Sequence, residues 1–481
     1  MMRYIVFALF LFGCTLQSRS QEIMYSPYEE FDMRNSDYAI AGRVGELLYV
    51  YHTNAKGAYL EAYNDAMEKQ ATILLDFFSG KIYDAKFITY PNQIVVLYQS
   101  VESGKVTLYA ALLDEKARLL KKPIVIDAAK QAFFGSARSY FSMAVSDDKK
   151  KIITYEASSK GKTVNMDCTW LDDQLTVLSR SHSSFTAENA LNYGDALLNN
   201  DGTLYLPVYT PIGNRSYADQ LWLLALPQSE RKFTPKEVPL NNIYAAGTYM
   251  KLDNMKNRIY IAGLYSEKKN GTNDGVLYTY YNISTGQYET TKLLPFSEEM
   301  RNNTGERNKR NAFNDYMVRN LIVKNDGGFV LIAEDYFMTS RNSYSPGMGY
   351  YSFYYPTMSS NIREYHYNDI MSLSYDMDGQ LQWKAFVRKD QYSQEDGGVF
   401  SSFAMINTGG SLGFLYNDFN SSKSRIQLAV IDGSAGDVSM KMLHPGEDAD
   451  WLPRYAKQVA SREMVIPCFH KREICFAKIV F

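Results

Sequence analysis

The chain has 481 residues, of which 46% are hydrophobic and 22% charged, and its formal net charge is −2 at pH 7. This is the composition of an ordinary globular protein with a large core. The near-neutral charge argues against a protein built to hold a polyanion, so we predict no nucleic-acid partner. Tyrosine is unusually common, with 39 residues against 25 phenylalanines, and it favours strands and half-wet surfaces.

The N-terminus predicts export. Arg3 precedes an apolar run over 4–13 that is too short to span a bilayer, and small serines suit cleavage before Gln21. We therefore predict a signal peptide over residues 1–20 and a secreted or periplasmic, outer-membrane-associated protein of the cell envelope. A second interpretation stays open, because the letters LFGC also resemble a lipobox in which Cys14 carries a lipid anchor. No later run is long enough for a membrane span.

A pair of hairpins recurs along the rest of the chain. Its first turn is polar and precedes a short apolar run, as in NNDGTLYLPVY (199–209) and NTGGSLGFLYND (407–418). These first-hairpin turns fall near residues 45, 92, 147, 201, 255, 326, 409 and 462. Most spacings are about 50 residues, the length of a four-stranded propeller blade. The second strands, such as QIVVLYQS (93–100), are almost continuously apolar, which indicates cover on both faces.

The repeat predicts an all-β fold, a β-propeller with eight four-stranded blades. The last unit, 453–481, supplies only three strands, and the segment 22–32 is expected to add the missing outer strand and close the ring. Residues 21–481 then form a single propeller domain. Seven blades is the alternative count, and a tandem pair of β-sandwiches is the alternative architecture.

Two cysteines near the C-terminus are predicted to face each other. In EMVIPCFHKREICFAKIVF a two-residue turn at Lys471 and Arg472 places Cys468 opposite Cys475 on adjacent strands. Directly opposed cysteines either form a disulfide or serve as two small buried hydrophobic residues. The sequence leaves both interpretations open.

Two segments carry a resemblance to known proteins. NDGGFVLIAEDYF (325–337) and NDIMSLSYDMDGQLQWKAF (368–386) resemble secreted propeller-like proteins of the Bacteroidota, most of which have no assigned function. The resemblance is specific over one blade and architectural elsewhere. It implies a cell-envelope location in a Gram-negative bacterium, and it brings no catalytic residues to this chain.

The sequence contains no complete motif for a catalytic or metal-binding site. The GGSLG of 409–413 matches a nucleophile elbow but lies in a repeated hairpin turn, and the DMDG of 376–379 lacks the later ligands of a calcium loop. The five histidines, at 52, 182, 366, 444 and 470, form no zinc motif. We predict no metal site and no cofactor.

The longest interval between hairpins holds an aromatic insertion at about 338–368. Its centre, SYSPGMGYYSFYYP (343–356), carries no charge, and disorder disfavours so many aromatic rings. The insertion is therefore expected either to cover the propeller or to form a contact surface. The residues predicted to bind a ligand are Tyr344, Tyr350, Tyr351, Phe353, Tyr354, Tyr355 and His366.

Taken together, these patterns favour a non-enzymatic envelope propeller that binds a protein or glycan partner through the insertion. The alternative is a glycan-cleaving hydrolase or lyase whose carboxylates meet at the central channel. Glu334, Asp335 and Asp369 flank the insertion and are the carboxylates that this alternative would use.

Overall fold

Antiparallel strands account for nearly all of the regular structure in the computed structural model. The structure describes residues 21–32, 36–130, 140–212, 217–269, 271–304, 311–342, 361–419, 425–444 and 449–481. The predicted signal peptide and Cys14 lie outside these ranges, so export and lipidation stay predictions. Within the described ranges, no helix is long and apolar enough to cross a membrane.

The first half of the chain supplies two terminal strands and four blades. Blade one consists of β3–β6, blade two of β7–β10, blade three of β11–β14 and blade four of β15–β19. The bounds are β1 Glu22–Tyr25, β2 Glu29–Glu30, β3 Tyr38–Val44, β4 Leu47–Asn54, β5 Gly57–Tyr63, β6 Lys69–Leu74, β7 Lys81–Thr89, β8 Gln93–Glu102, β9 Lys105–Asp114, β10 Leu119–Lys130, β11 Ser142–Val145, β12 Lys151–Lys160, β13 Thr163–Asp172, β14 Val177–Thr186, β15 Asn192–Tyr193, β16 Leu197–Leu198, β17 Leu204–Ile212, β18 Tyr217–Leu226 and β19 Thr234–Glu237.

The second half supplies the other four blades and one short helix, α1 (Glu298–Asn302). Blade five consists of β20–β24, blade six of β25–β29, blade seven of β30–β33 and blade eight of β34–β37. The bounds are β20 Tyr244–Asp253, β21 Arg258–Ser266, β22 Gly275–Asn282, β23 Gln287–Tyr288, β24 Lys292–Pro295, β25 Tyr316–Val323, β26 Phe329–Asn342, β27 Asn361–Tyr375, β28 Leu381–Val387, β29 Gln391–Gln394, β30 Ala404–Asn407, β31 Ser411–Asp418, β32 Arg425–Asp432, β33 Val438–Leu443, β34 Asp450–Trp451, β35 Lys457–Ala460, β36 Glu463–His470 and β37 Glu473–Val480.

Each blade is an antiparallel sheet, and in blades four, five, six and eight an outer position is divided between two short strands that pair with the same neighbour. Blades four and five share one sheet, because β18 and β20 pair through Tyr217 with Ala246 and Ala218 with Ala245. The predicted middle strand β8 is buried along its first eight residues, as a strand packed between two neighbouring sheets should be.

The hydrophobic cores lie between blades. The described residues form eight buried clusters, and each cluster joins two consecutive blades. The cluster between blades eight and one includes Phe31, Val50 and Val465, so the packing runs around a complete ring. Stacked blades around a closed ring define a β-propeller, and the eight-blade prediction is confirmed.

The turns that were predicted from the sequence are confirmed. Strands one and two of every blade are joined at the predicted positions, with left-handed glycines such as Gly202 (φ +96°) and Gly409 (φ +86°). Ser411 begins β31, so the GGSLG motif is a strand hairpin rather than a strand-to-helix elbow. The Asp376 carboxylate accepts a bond from the Gln380 N–H at 2.8 Å, which makes DMDG a turn as well.

The N-terminal strand completes blade eight, as expected. β1 pairs with β37 from Glu22 opposite Val480 to Tyr25 opposite Ala477. The predicted register of the last hairpin is also confirmed, because Cys468 lies opposite Cys475. Both side chains are fully buried. A disulfide between them stays a prediction.

The ring has two different faces. One, which we name the hairpin face, carries the turns between strands one and two and between strands three and four. The other, the connector face, carries the turns between strands two and three and the links from blade to blade. Most turns of the connector face are short, but β26 and β27 of blade six reach 14 and 15 residues.

Candidate functional site

Blade six extends beyond the ring on its connector face. Past a bulge between Glu334 and Tyr336, β26 continues to pair with β27, and β29 pairs with the other edge of β27. We name this three-stranded ribbon, residues 336–342, 361–367 and 391–394, the blade-six extension. The ends of the predicted insertion are therefore strands, and His366 lies within β27 and not in a surface loop.

Three rings line up across the outer face of the extension. Phe337, His366 and Tyr392 are direct cross-strand neighbours. The Phe337 and His366 rings stack with centroids 4.4 Å apart, and the His366 and Tyr392 centroids are 5.0 Å apart. Tyr392 is 44% exposed and ends the row at the edge strand. The row therefore presents an exposed aromatic edge to solvent.

A carboxylate lies beside these rings and is held by its neighbours. Glu364 accepts bonds from the Tyr392 hydroxyl at 2.8 Å, the Gln394 amide at 3.2 Å and the Thr339 hydroxyl at 3.0 Å. We name these six residues, Phe337, Thr339, Glu364, His366, Tyr392 and Gln394, the ring surface. In the described part of the chain, no hydrogen bond engages the imidazole nitrogens of His366.

The inner face of the extension packs on cationic side chains. The Tyr336 and Tyr367 rings lie 4.6 Å apart, with the Arg319 guanidinium 5.5 Å from the first ring and that of Arg454 4.9 Å from the second. Arg454 also donates to the Tyr367 hydroxyl and to the carbonyl of Gly398. Burial raises the pKa of Tyr367, an effect that Arg454 opposes.

Below these tyrosines lies a buried ion-pair network. Glu334 is fully buried, and its carboxylate contacts Lys389 Nζ at 2.8 Å, Arg319 at 2.9 Å and the Ser402 hydroxyl at 2.8 Å. Burial lowers the pKa of Lys389, an effect that Glu334 opposes. Every donor comes from a different segment, so the network fixes the extension to blade six and to the connector that precedes blade seven.

The same network reaches two further blades. Lys389 donates to the Tyr367 carbonyl at 2.9 Å and to the Gln391 side chain at 3.0 Å. Gln391 in turn donates to the carbonyl of Asn417 in blade seven, whose amide donates to the carbonyl of Trp451 in blade eight, at 2.9 and 2.8 Å. The extension is therefore a rigid projection and not an isolated hairpin.

The three carboxylates that were predicted to flank the insertion have different surroundings. Glu334 is buried and paired with cations, so it is a structural charge and not an accessible acid or base. Asp335 accepts a bond from the Asn368 amide at 3.1 Å, and Asp369 pairs with Arg388. Burial raises the pKa of Asp369, while Arg388 acts in the opposite direction.

The structure places only one of the predicted ligand-binding residues, His366. The six aromatic residues predicted from 343–356 lie outside the described residues, and their role stays a prediction: Tyr344, Tyr350, Tyr351, Phe353, Tyr354 and Tyr355. Among the described residues, no group of three or more His, Cys, Asp or Glu side chains is arranged to hold a metal ion.

Phe337, Glu364 and Tyr392 were missed in the sequence. The alternation in REYHY, 363–367, was the available signal, because it places Tyr365 and Tyr367 on one face and Glu364 and His366 on the other. No comparable sequence pattern indicates that Tyr392 pairs with His366, since the strand that carries Tyr392 has only four residues.

The fold and this extension define the class of protein, an eight-bladed β-propeller with one elaborated blade. No protein-family model matches the chain, and no curated protein matches it significantly. Prolyl oligopeptidase B from Galerina marginata is 13% identical with a TM-score of 0.43, over 91% of this chain and 56% of that one. This chain thus spans little more than half the length of that enzyme.

Two polysaccharide lyase structures resemble this chain to about the same degree. Uly1 is 10% identical with a TM-score of 0.41, over 84% of this chain and 94% of that chain. An ulvan lyase of the PL25 family is 10% identical with a TM-score of 0.40, over 81% and 90%. Likenesses this distant do not transfer an activity to this chain.

Proposed function

We propose that the protein recognises a glycan on the ring surface of the blade-six extension. The observation that carries this proposal is the row of Phe337, His366 and Tyr392, two half-buried rings and one exposed ring, beside a carboxylate that Tyr392 and Gln394 hold in place. Sugars present apolar C–H faces next to hydroxyl groups. A ring edge that ends beside fixed polar groups matches both parts of such a ligand.

The rigidity of the extension supports the same proposal. Aromatic side chains that are already fixed lose little entropy when a ligand binds. Glu334, Lys389 and Arg454 anchor the opposite face of the ribbon to the ring, so the outer face is held before any ligand arrives. Export to the cell envelope, which the N-terminus predicts, would bring this surface to polysaccharides outside the cytoplasm.

The test is affinity electrophoresis in gels that contain a panel of neutral and acidic polysaccharides. The mature chain, residues 21–481, is expected to be retarded by at least one glycan. Tyr392→Ala should weaken binding about tenfold or more, because it removes the exposed ring and a donor to Glu364. Tyr392→Phe, which keeps the ring, should keep most of the affinity.

The matched control is Tyr280→Ala, which removes a partly exposed tyrosine ring in blade five. It is expected to leave retardation unchanged. If Tyr392→Ala binds as well as the parent chain, the ring surface is not the site. If no glycan retards the parent chain, the glycan proposal fails and a protein partner becomes the explanation of the surface.

Glycan cleavage is the second candidate function, and one observation favours it. Asp369 lies at the root of the extension, where burial raises the pKa of its carboxyl against the opposing effect of its partner Arg388, and a general acid needs a raised pKa to protonate a leaving group. Asp335 is the second carboxylate at this end of the ring, and it accepts a hydrogen bond from Asn368, the residue before Asp369. Two carboxyl groups flanking a glycosidic bond are the usual machinery of a glycosidase.

Assays for reaction products distinguish glycan cleavage from glycan recognition. Incubation with each retarding polysaccharide, followed by assays for new reducing ends and for unsaturated uronate absorbance, detects hydrolysis and elimination respectively. Asp369→Asn should abolish hydrolysis and leave retardation in the gel. A retarded glycan that yields no product with the parent chain contradicts the cleavage candidate and leaves recognition standing.

A further inference from the structure

A cavity of about 360 Å³ lies away from the ring surface, where blades four and five share one sheet. Small residues make the space, since Gly194, Ala218, Ala245 and Gly247 all line it. This volume is within the range of small-molecule sites in proteins, at its lower end.

A bulge in β20 shapes one wall of the cavity. The pairing of β20 with β21 shifts between Ala246 and Tyr249, and Gly247 takes a left-handed φ of +56° there. The bulge adds Thr248 and Tyr249 to the lining of the cavity. Bulges of this kind re-aim side chains and are frequent beside binding sites.

Four residues with polar side chains line this largely apolar cavity, and two of them, Asp195 and Tyr249, are exposed to solvent. The four are Asp195, Tyr209, Thr248 and Tyr249, and within the described part of the chain none of their side chains forms a hydrogen bond or ion pair. Burial and the Asp195 carboxylate both raise the pKa of Tyr249, so carboxylate and phenol are electrostatic neighbours. The other walls include Leu197, Pro207, Leu221 and Met250.

We propose that this cavity binds a small organic ammonium ion. The Asp195 carboxylate supplies the counter-charge, and the rings of Tyr209 and Tyr249 offer the electron-rich faces that attract cations. The apolar walls accept the alkyl part of such a ligand. The same chemistry describes a free alkylamine and the side chain of a lysine in a peptide, and the experiment distinguishes these two sources.

The experiment is calorimetric titration at pH 7 of the mature chain with three probes: n-butylammonium, neutral n-butanol and N-acetyl-lysine methylamide. Butylammonium is expected to bind about tenfold more tightly than butanol, because only the cation gains the carboxylate and ring contacts. Asp195→Asn should abolish this preference. Tyr249→Leu, which keeps apolar bulk, should reduce it.

Asp437→Asn is the matched control, because it neutralises an exposed aspartate on the hairpin face of blade seven. It should change none of the affinities. Asp195 and Tyr249 are both exposed, so both variants are expected to keep the parent unfolding temperature.

Three results would overturn the proposal: no binding of any probe, equal binding of butanol and both cations, or a preference that survives Asp195→Asn. Tighter binding of butylammonium than of the lysine derivative indicates a free amine as ligand, because the backbone of the derivative is then not accommodated. Binding of the lysine derivative that equals or exceeds that of butylammonium indicates the basic side chain of a peptide. Neither result depends on glycan recognition, so the two proposals fail separately.

Discussion

The ring closure between blades eight and one and the root of the blade-six extension both bury charged side chains, but in different ways. At the closure, Glu61 is buried beneath Lys69, which remains 24% exposed and also pairs with Glu29 of β2. At the root of the extension, Glu334 and Lys389 are both sealed, with side-chain exposures of 0% and 1%.

The two regions differ in what holds their strands in place. The closure joins strands that are distant in sequence, and the backbone pairing of β1 with β37 already holds them together. A partly exposed ion pair is therefore sufficient to compensate the buried Glu61 carboxylate. The extension projects from the ring, and its orientation depends on side chains from separate segments. A sealed network fixes that orientation, because its members have no alternative partners in water.

Removing the lysine of each pair should have the larger effect at the extension. Lys389→Met leaves Glu334 buried beside a single guanidinium, and we expect the free energy of unfolding to fall by about 3–5 kcal/mol. Lys69→Met should lower it by about 1–2 kcal/mol, since water reaches the vacated position. Urea denaturation measures both, and equal losses would contradict the distinction drawn between the two regions.

The closure also depends on a neutral donor. The Tyr63 hydroxyl donates to Glu61, and both side chains are buried. Tyr63→Phe removes this bond from a buried carboxylate, so we expect a loss of about 1–3 kcal/mol in the free energy of unfolding. The same substitution at Tyr280, which is partly exposed, is the control and should cost much less. A neutral result for Tyr63→Phe would mean that Lys69 alone compensates Glu61.

The smallest expected effect is a pH dependence at the closure. His52 is buried with its Nδ1 3.8 Å from the Glu61 carboxylate, and burial lowers its pKa below the ordinary value of about 6.5, an effect that Glu61 opposes. The folded chain therefore binds this proton less readily than the unfolded chain. Stability from this source is present above pH 6.5 and is lost as the pH falls toward the lowered pKa.

His52→Gln should remove that loss. Between pH 7 and pH 5 the parent chain should lose more stability than the variant, by less than about 1.4 kcal/mol per pH unit. Urea midpoints at a series of pH values measure the difference. Parallel curves for the two chains would show that His52 does not titrate differently on folding.

The ring itself was predictable because its signals are local. Asp, Asn and Gly in turns such as 199–203 fix the backbone angles of tight hairpins without help from the rest of the fold. The apolar runs that follow report burial on both faces. The closing strand followed from counting, since the last unit, 453–481, lacked one strand.

The site was much less predictable because its contacts are distant in sequence. Glu334 and Ser402 are 68 residues apart, and Arg454 reaches Tyr367 across 87 residues. Nothing in the local pattern of Glu334 distinguishes a sealed structural charge from an accessible carboxylate. The composition of the aromatic insertion indicates a special segment, but composition alone does not predict that its flanks form strands, and the alternation of REYHY (363–367) is the one local signal that does.

The pairing of the first strand with the last has a consequence for synthesis. Ser26 exchanges hydrogen bonds with Phe476, a residue 450 positions later in the chain. Blade eight therefore stays incomplete until residues 473–480 have been synthesised, while blades one to seven can form before it. Contacts this far apart in sequence form late and slowly, so the ring is expected to close after the other blades have folded.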